Sequence, residues 1–319
     1  MATTPVQSFV GIDVSKHALD VAILPSGDTF QVSNDHHGAI ELLEHLKNYS
    51  IQLIVLEATG TLEKLLVAEL AAALLPVVVA NPLKIHYFAK AHGQHAKNDS
   101  LDALNLALFA QETKPPIRPL PDAQTQALAE HISRRRQLIG LRTAESNRLQ
   151  TARDAKVRKS IQSMLKHIEK QIEDLEDEIK KLVDSCPIWK EKDDLLQSIA
   201  GIGPTTSYTL LALVPELGSI NRHKIATLIG LAPFDRDSGI LKGKRCISGG
   251  RKDVRCALYM ATLSAIRSNP HIKAMYQRLN AKGKAFKLVM TACMRKLLTV
   301  LNMVLKTKTP WKDFSLVSC

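Results

Sequence analysis

The chain has 319 residues, with 43 Lys plus Arg against 31 Asp plus Glu, a formal net charge of +12. That charge is uneven: residues 1–110 hold 6 basic and 11 acidic side chains, a net of −5, leaving +17 for the rest, whose first arginine is Arg118. The pattern is an acidic segment joined to one that meets a polyanion, with nucleic acid the leading partner.

Other classes drop out. Five cysteines (Cys186, Cys246, Cys256, Cys293, Cys319) are odd in number and show no CxxC spacing, against a disulfide framework or zinc module. Aromatics are 4%, too few for base stacking to be the main binding mode. The apolar stretch from Leu65 to Ala80 is broken by Glu69 and Pro76, and MATTPVQSFV lacks a secretory pattern. The expectation is a cytoplasmic protein without a membrane partner.

Apolar runs at Ser8–Val14 and Ala18–Leu24 flank a turn at Ser15-Lys16-His17, and Pro25-Ser26-Gly27-Asp28 leads into a third strand, Thr29–Ser33. This predicts an antiparallel meander. Gly38–Asn48 has helical periodicity, Leu53–Leu56 is a buried-type strand ending at Glu57, and Leu62–Leu74 is a helix. Pro76–Val79 is a fifth strand and Ser100–Gln111 a further helix. The order β-β-β-α-β-α-β-α is that of a ribonuclease H-like (RuvC-like) α/β domain with a mixed sheet. We assign it residues 1–113, followed by a Pro-rich linker at 114–124.

From Thr125 to Ser185 there is no proline, so a long helix is expected, forming an arm over 125–186. Ile161, Leu165, Ile168, Ile172, Leu175, Ile179 and Leu182 repeat at alternating spacings of 4 and 3, an a/d seam. That seam serves equally an internal helical hairpin or a coiled coil between protomers. Arg134, Arg135 and Arg136 begin a run of basic residues on this arm. Residues 187–319 form a mostly helical C-terminal domain.

Four carboxylates stand out in the acidic domain. Asp13 interrupts an apolar strand, where an unpartnered charge is costly. Glu57 ends the second buried strand, and Asp99 and Asp102 share one face at a helix start. Read singly, the helix pair caps a terminus and Asp13 marks a strand end. Read together on a ribonuclease H-like sheet, they gather hard oxygen ligands for Mg²⁺ or Mn²⁺.

In the basic half, IAGIGP around Gly201 and Gly203 resembles a helix-hairpin-helix turn that offers backbone N–H groups to a phosphate. Beyond it lies a Gly-rich cationic loop with Ser238, Lys242, Lys244, Arg245 and Arg251, followed by Arg255. Its serines serve either as a nucleophile beside stabilising cations or as hydrogen-bond donors in a phosphate clamp.

With GIDVSK, LEATG, KNDSLDA, IAGIGP, LIGLAP, DSG and ISGGRKDVR in this order, the chain resembles the insertion-sequence DEDD/serine transposases, which include the Piv-type DNA invertases. The resemblance spans nearly the whole chain. It departs at Gly249, where a lysine commonly follows the Ile-Ser pair. It implies that Asp13, Glu57, Asp99 and Asp102 hold Mg²⁺ and that Ser238 forms a covalent 5′-phosphoserine link with DNA. It further implies one composite catalytic site shared by the two domains, across protomers of an oligomer. The implied partners are double-stranded DNA (element ends and target), a structured non-coding bridge RNA, and copies of the chain in a dimer or tetramer joined through the coiled coil. The implied location is the bacterial cytoplasm, at the nucleoid. The alternatives are a site-specific invertase, a RuvC-like junction nuclease using water as nucleophile, and a non-catalytic nucleic-acid binder.

Overall fold

A computed structural model describes residues 6–93, 99–117, 122–235, 243 and 245–311, the side chains of Asp99 and Ser100 excepted. The chain divides into two compact units, residues 1–120 and 121–319.

The first unit runs β1 (Gln7–Val14), β2 (Ala18–Leu24), β3 (Asp28–Ser33), α1 (His36–Leu46), β4 (Ser50–Glu57), α2 (Lys64–Ala72), β5 (Val77–Ala80), α3 (Pro82–Ala91) and α4 (Asp99–Thr113). The five strands form one sheet in the order β3-β2-β1-β4-β5. β1, β2 and β3 are antiparallel neighbours, whereas β4 and β5 join β1 in parallel. This is the mixed ribonuclease H-like sheet expected from the element order. The β1–β4 and β4–β5 connections each pass through a helix, as parallel pairing requires.

Strand alternation sends side chains to two different layers. Val10, Ile12, Leu19, Val21, Ile54 and Leu56 point to one face and pack with Leu42, Leu46, Leu66 and Leu70 of α1 and α2. Phe9, Leu53 and Val55 point to the other and pack with Ile85 of α3 and Leu106, Phe109 and Ala110 of α4. On that second face α4 comes very close. A Cβ on Gly11 would lie 2.1 Å from the Ala103 carbonyl oxygen and 2.3 Å from the Ala107 nitrogen. Ala22, Ala103 and Ala107 pack together in the same region.

α3 is the element that the sequence reading leaves out. Its start has a clear local cause: the Asn81 side chain accepts from the Leu83 N–H, and Pro82 occupies the first turn.

The second unit runs α5 (Ala123–Thr151), α6 (Ala155–Ser185), α7 (Pro187–Gln197), α8 (Pro204–Leu213), α9 (Arg222–Ile229), β6 (Pro233–Phe234), β7 (Cys246–Ile247), α10 (Lys252–Ser268), α11 (Pro270–Ala281) and α12 (Phe286–Thr307). The long helical stretch expected over Thr125–Ser185 is broken at 152–154 into two helices. Asp154 caps the second by accepting from Lys156 and Val157 N–H groups. Arg158 closes the first by donating to the carbonyls of Leu149 and Ala152, each at 2.9 Å. α5 and α6 then pack against each other. The seam residues Ile168 and Ile172 are buried with Leu138, while Ile179 enters the main core beside Leu128 and Ile132. Within the chain, this part of the seam packs as an internal hairpin.

α12 corrects the membrane survey drawn from residues 65–80. It is long and apolar enough to cross a membrane by length and composition. Here Val289, Cys293, Leu297, Leu298 and Leu301 are buried in the core of the second unit, with α7, α9, α10 and α11 packed around the helix. A mostly buried helix of this kind is what a large helical core needs at its centre.

Candidate carboxylate face and serine-loop ribbon

β1 and β4 pair in parallel with Gly11 opposite Val55 and Ile12 opposite Leu56. One step further along each strand come Asp13 and Glu57. Both therefore share the sheet face of Gly11 and Val55, the face that α4 covers. The direction of α4 completes the arrangement. Phe9 shares its core with Leu106, Phe109 and Ala110, and Gly11 abuts Ala103 and Ala107, so α4 runs opposite to β1. Continuing to Asp13 brings β1 to the first turn of α4, where Asp99 and Asp102 stand.

Register thus puts Asp13 and Glu57 on the sheet face that α4 covers, with Asp102 in the first turn of α4, all three half-buried. Asp99 opens α4, and its side chain lies outside the described residues. The carboxylates sit at the C-terminal ends of the two central strands. Among the described residues, no three His, Cys, Asp or Glu side chains stand close enough to share an ion. In chemistry the set fits a hard divalent cation, since every donor is a carboxylate oxygen.

The sequence reading passes over one further carboxylate. Asp20 is the direct cross-strand partner of Asp13, so the two carboxylates share a face. The Gln31 side-chain amide donates to Asp20 Oδ1 at 2.9 Å. Only pairing register reveals this neighbour, because Asp20 lies in an ordinary alternating strand.

In the second unit, Ser238 and Lys242 and Lys244 lie outside the described residues, but the base of their loop is defined. Pro233 pairs with Ile247 and Phe234 with Cys246, an antiparallel two-stranded ribbon that brackets the loop. Arg245 forms an ion pair with Asp235 across that base.

The segment after the ribbon is clamped. Gly230 has φ +77° and Gly250 φ +70°, the left-handed region that glycine enters without strain. Each backbone fills the space a Cβ would need on the other side: Gly230 against the Gly249 carbonyl at 2.1 Å, Gly250 against Gly230 N at 2.2 Å. Arg255 donates to the Ile229 carbonyl at 3.0 Å and also to that of Gly249. Arg251 makes a two-pronged contact with Glu216, both hydrogen bonds at 2.7 Å. Arg251 and Arg255 therefore serve the local fold.

The remaining expected nucleic-acid contacts divide. Arg135 Nε donates to Glu176 on α6 at 2.7 Å, and Arg136 pairs with Asp253 on α10. Arg134 is bonded only weakly, to Gln137 at 3.3 Å. Gly201 has φ +99° and its Cα abuts Ala265 of α10, a packing role. Gly203 is exposed at the N-cap of α8, with nothing within 4 Å of a Cβ there.

A ribonuclease H-like N-terminal unit of RuvC type, carrying carboxylates at its central strand ends and joined to a mostly helical unit, defines the general class of this protein. Comparison with known proteins supplies the family. Residues 10–155 match the transposase domain DEDD_Tnp_IS110, and residues 193–277 match the domain described as Transposase IS116/IS110/IS902 family. The pilin gene-inverting proteins of Moraxella bovis and Moraxella lacunata are each 31% identical over 96% of this chain and 98% of their own length. The insertion element IS110 uncharacterized 43.6 kDa protein of Streptomyces coelicolor is 26% identical over 47% of this chain and 36% of its own. The chain belongs to the IS116/IS110/IS902 family of transposases, enzymes of DNA recombination.

Proposed function

We propose that this transposase cuts and rejoins DNA through a covalent phosphoserine intermediate formed by Ser238. The Ser238 Oγ attacks a phosphodiester phosphorus, the Oγ–P bond forms and the bond to the 3′ oxygen breaks. The serine proton ends on the released 3′ oxygen. Attack by a 3′ hydroxyl on the phosphoserine then reverses the exchange, so no phosphodiester is lost to water.

Asp13, Glu57, Asp99 and Asp102 are the residues that would hold a divalent cation, Mg²⁺ or Mn²⁺. When bound, such an ion polarises a phosphate oxygen and neutralises charge that develops during displacement. The observation that carries this reading is the β1–β4 register under α4, which puts Asp13 and Glu57 on the face where Asp102 stands. The β6–β7 ribbon supports the other half, since it pairs the two segments that flank Ser238 in sequence, beside a clamped base.

A structured RNA encoded beside the gene guides target choice in this proposal, consistent with a +17 charge over residues 111–319. The chain acts as a dimer or tetramer. A second reading, inversion of a DNA segment, is favoured by the pilin gene-inverting names of the full-length relatives. It shares the chemistry and differs in the arrangement of the sites joined.

The test is a protein–DNA adduct that survives denaturation. It forms with the wild-type chain and is absent from Ser238→Ala, with the DNA attached by a 5′ phosphate. Free cleaved ends from Ser238→Ala at the wild-type rate refute the serine mechanism in favour of a water-using junction nuclease. A plasmid carrying two sites in direct or inverted orientation separates transposition from inversion by product topology.

A further inference from the structure

Beside the β6–β7 ribbon lies a cleft of about 830 Å³, which no residue of the sequence reading except Arg245 anticipates. It is bounded by the ribbon, the start of α9 and the outer face of α12. Its charge is one-sided. Arg222, Arg245, Lys287, Arg295 and Lys296 line it, and no Asp or Glu is found among its described lining residues. Among the described residues only Arg245 of these five has an acidic partner, Asp235.

The stripe on α12 has a regular origin. Lys287, Thr291 and Arg295 recur every four residues, so they lie along the face opposite Cys293, Leu297 and Leu301, which fill the core. At 1.5 Å per residue, Lys287 and Arg295 are separated by about 12 Å along the helix axis. That matches about three to four nucleotides of axial rise on one strand of duplex DNA, at about 3.4 Å each. Leu288 and Ile247 add exposed apolar surface between the cations, suited to the non-polar faces of sugars.

We infer that this cleft is a backbone-binding groove for the DNA strand on which the ribbon loop acts. Cations without carboxylates, spread along a helix, hold phosphates in register without reading bases. Protein–protein interface cores, by contrast, are depleted in Lys. Continuity with the ribbon selects DNA as the occupant, because Arg245 and Ile247 belong both to the groove wall and to the base of the Ser238 loop. Only this choice of DNA rests on the proposed serine chemistry.

The experiment uses the full chain and three variants: K287Q/R295Q/K296Q, the same sites as alanines, and Ser238→Ala. Fluorescence anisotropy measures binding to a mixed-sequence DNA duplex and to single-stranded RNA across a salt series. Thermal unfolding verifies that each variant folds, as expected for side chains outside the core. The glutamine triple should bind duplex at least about tenfold more weakly, with its log K versus log salt slope reduced by about 0.9 per lost phosphate contact. Ser238→Ala should bind duplex like wild type while losing the adduct. Unchanged duplex affinity and salt slope in both folded triple variants overturn the groove. So does loss of RNA binding with duplex binding intact. An adduct persisting in Ser238→Ala refutes the nucleophile assignment and leaves the groove measurement standing.

Discussion

The two units position their candidate chemistry by different means. In the first, the hydrogen-bonded lattice of a sheet does the placing: Gly11 opposite Val55 carries Asp13 and Glu57 to one face, and α4 settles there because Gly11 has no Cβ. In the second, two glycines in left-handed conformations and two half-buried arginine clamps hold a two-residue ribbon whose own pairing is minimal. A sheet tolerates little displacement of a carboxylate, which suits the proposed metal site. The ribbon, two residues in each strand, instead relies on these clamps to fix the segments that flank Ser238 in sequence.

Asp13→Asn tests this contrast most severely. Strand cleavage should fall by at least about 10²–10³-fold, the scale of losing one electrostatic stabiliser of a transition state. DNA binding by anisotropy should be unchanged if, as proposed, the basic unit holds the backbone. Equal loss of binding and cleavage would erase the division of labour.

Next come the glycines. Gly11→Ala drives a methyl into backbone of α4 and should cost about 2–3 kcal/mol in denaturant unfolding, with cleavage falling as α4 moves. Gly230→Ala meets both strain at φ +77° and the Gly249 carbonyl, and should cost about 2 kcal/mol. If adduct formation is impaired by Gly230→Ala without a change in DNA affinity, the clamp positions the loop rather than the groove.

A smaller effect is expected for Arg251→Met. It removes the two-pronged bond to Glu216, both partners being about one quarter to one third exposed. The expected cost is about 1–2 kcal/mol by thermal unfolding. Glu216→Gln should recover part of it by removing the orphaned charge.

The smallest effect belongs to the α5 cap. The Thr125 N–H, donating to Asp122 at 2.6 Å, holds this carboxyl below its ordinary value of 3.8. A depressed folded-state pKa contributes stability above that ordinary value, and the contribution is lost as pH falls through the folded value. Asp122→Ala should therefore cost about 0.5–1 kcal/mol at neutral pH and nothing in strong acid. Helix content against pH, measured for both chains, shows the convergence.

Much of the first unit is written locally. The short apolar runs Ser8–Val14 and Ala18–Leu24 mark strands because a sheet with an apolar layer on each side buries both faces of its strands. Those runs lie within strands Gln7–Val14 and Ala18–Leu24, and Leu53–Leu56 within Ser50–Glu57. α3 escapes notice because only Ile85 of its ten residues is buried, so no apolar stripe announces it. The break at 152–154 escapes because no proline or glycine marks it; a single aspartate cap and an arginine reaching back across the turn suffice. The α12 cations escape because their stripe is read against a hydrophobic background that also resembles a membrane span.

Sequence alone was enough to determine the order of the five strands and of three of the four helices in the first unit, the acidic and basic halves and the four candidate carboxylates. These depend on period, composition and motif, which are properties of neighbours along the chain. Tertiary structure decided that the α6 seam closes on α5, that Asp20 faces Asp13, that Arg251 and Arg255 bond inward, and that α12 and the ribbon share a basic cleft. Each of these depends on which distant segment arrives opposite. Burial and pairing settle that only when the whole unit packs.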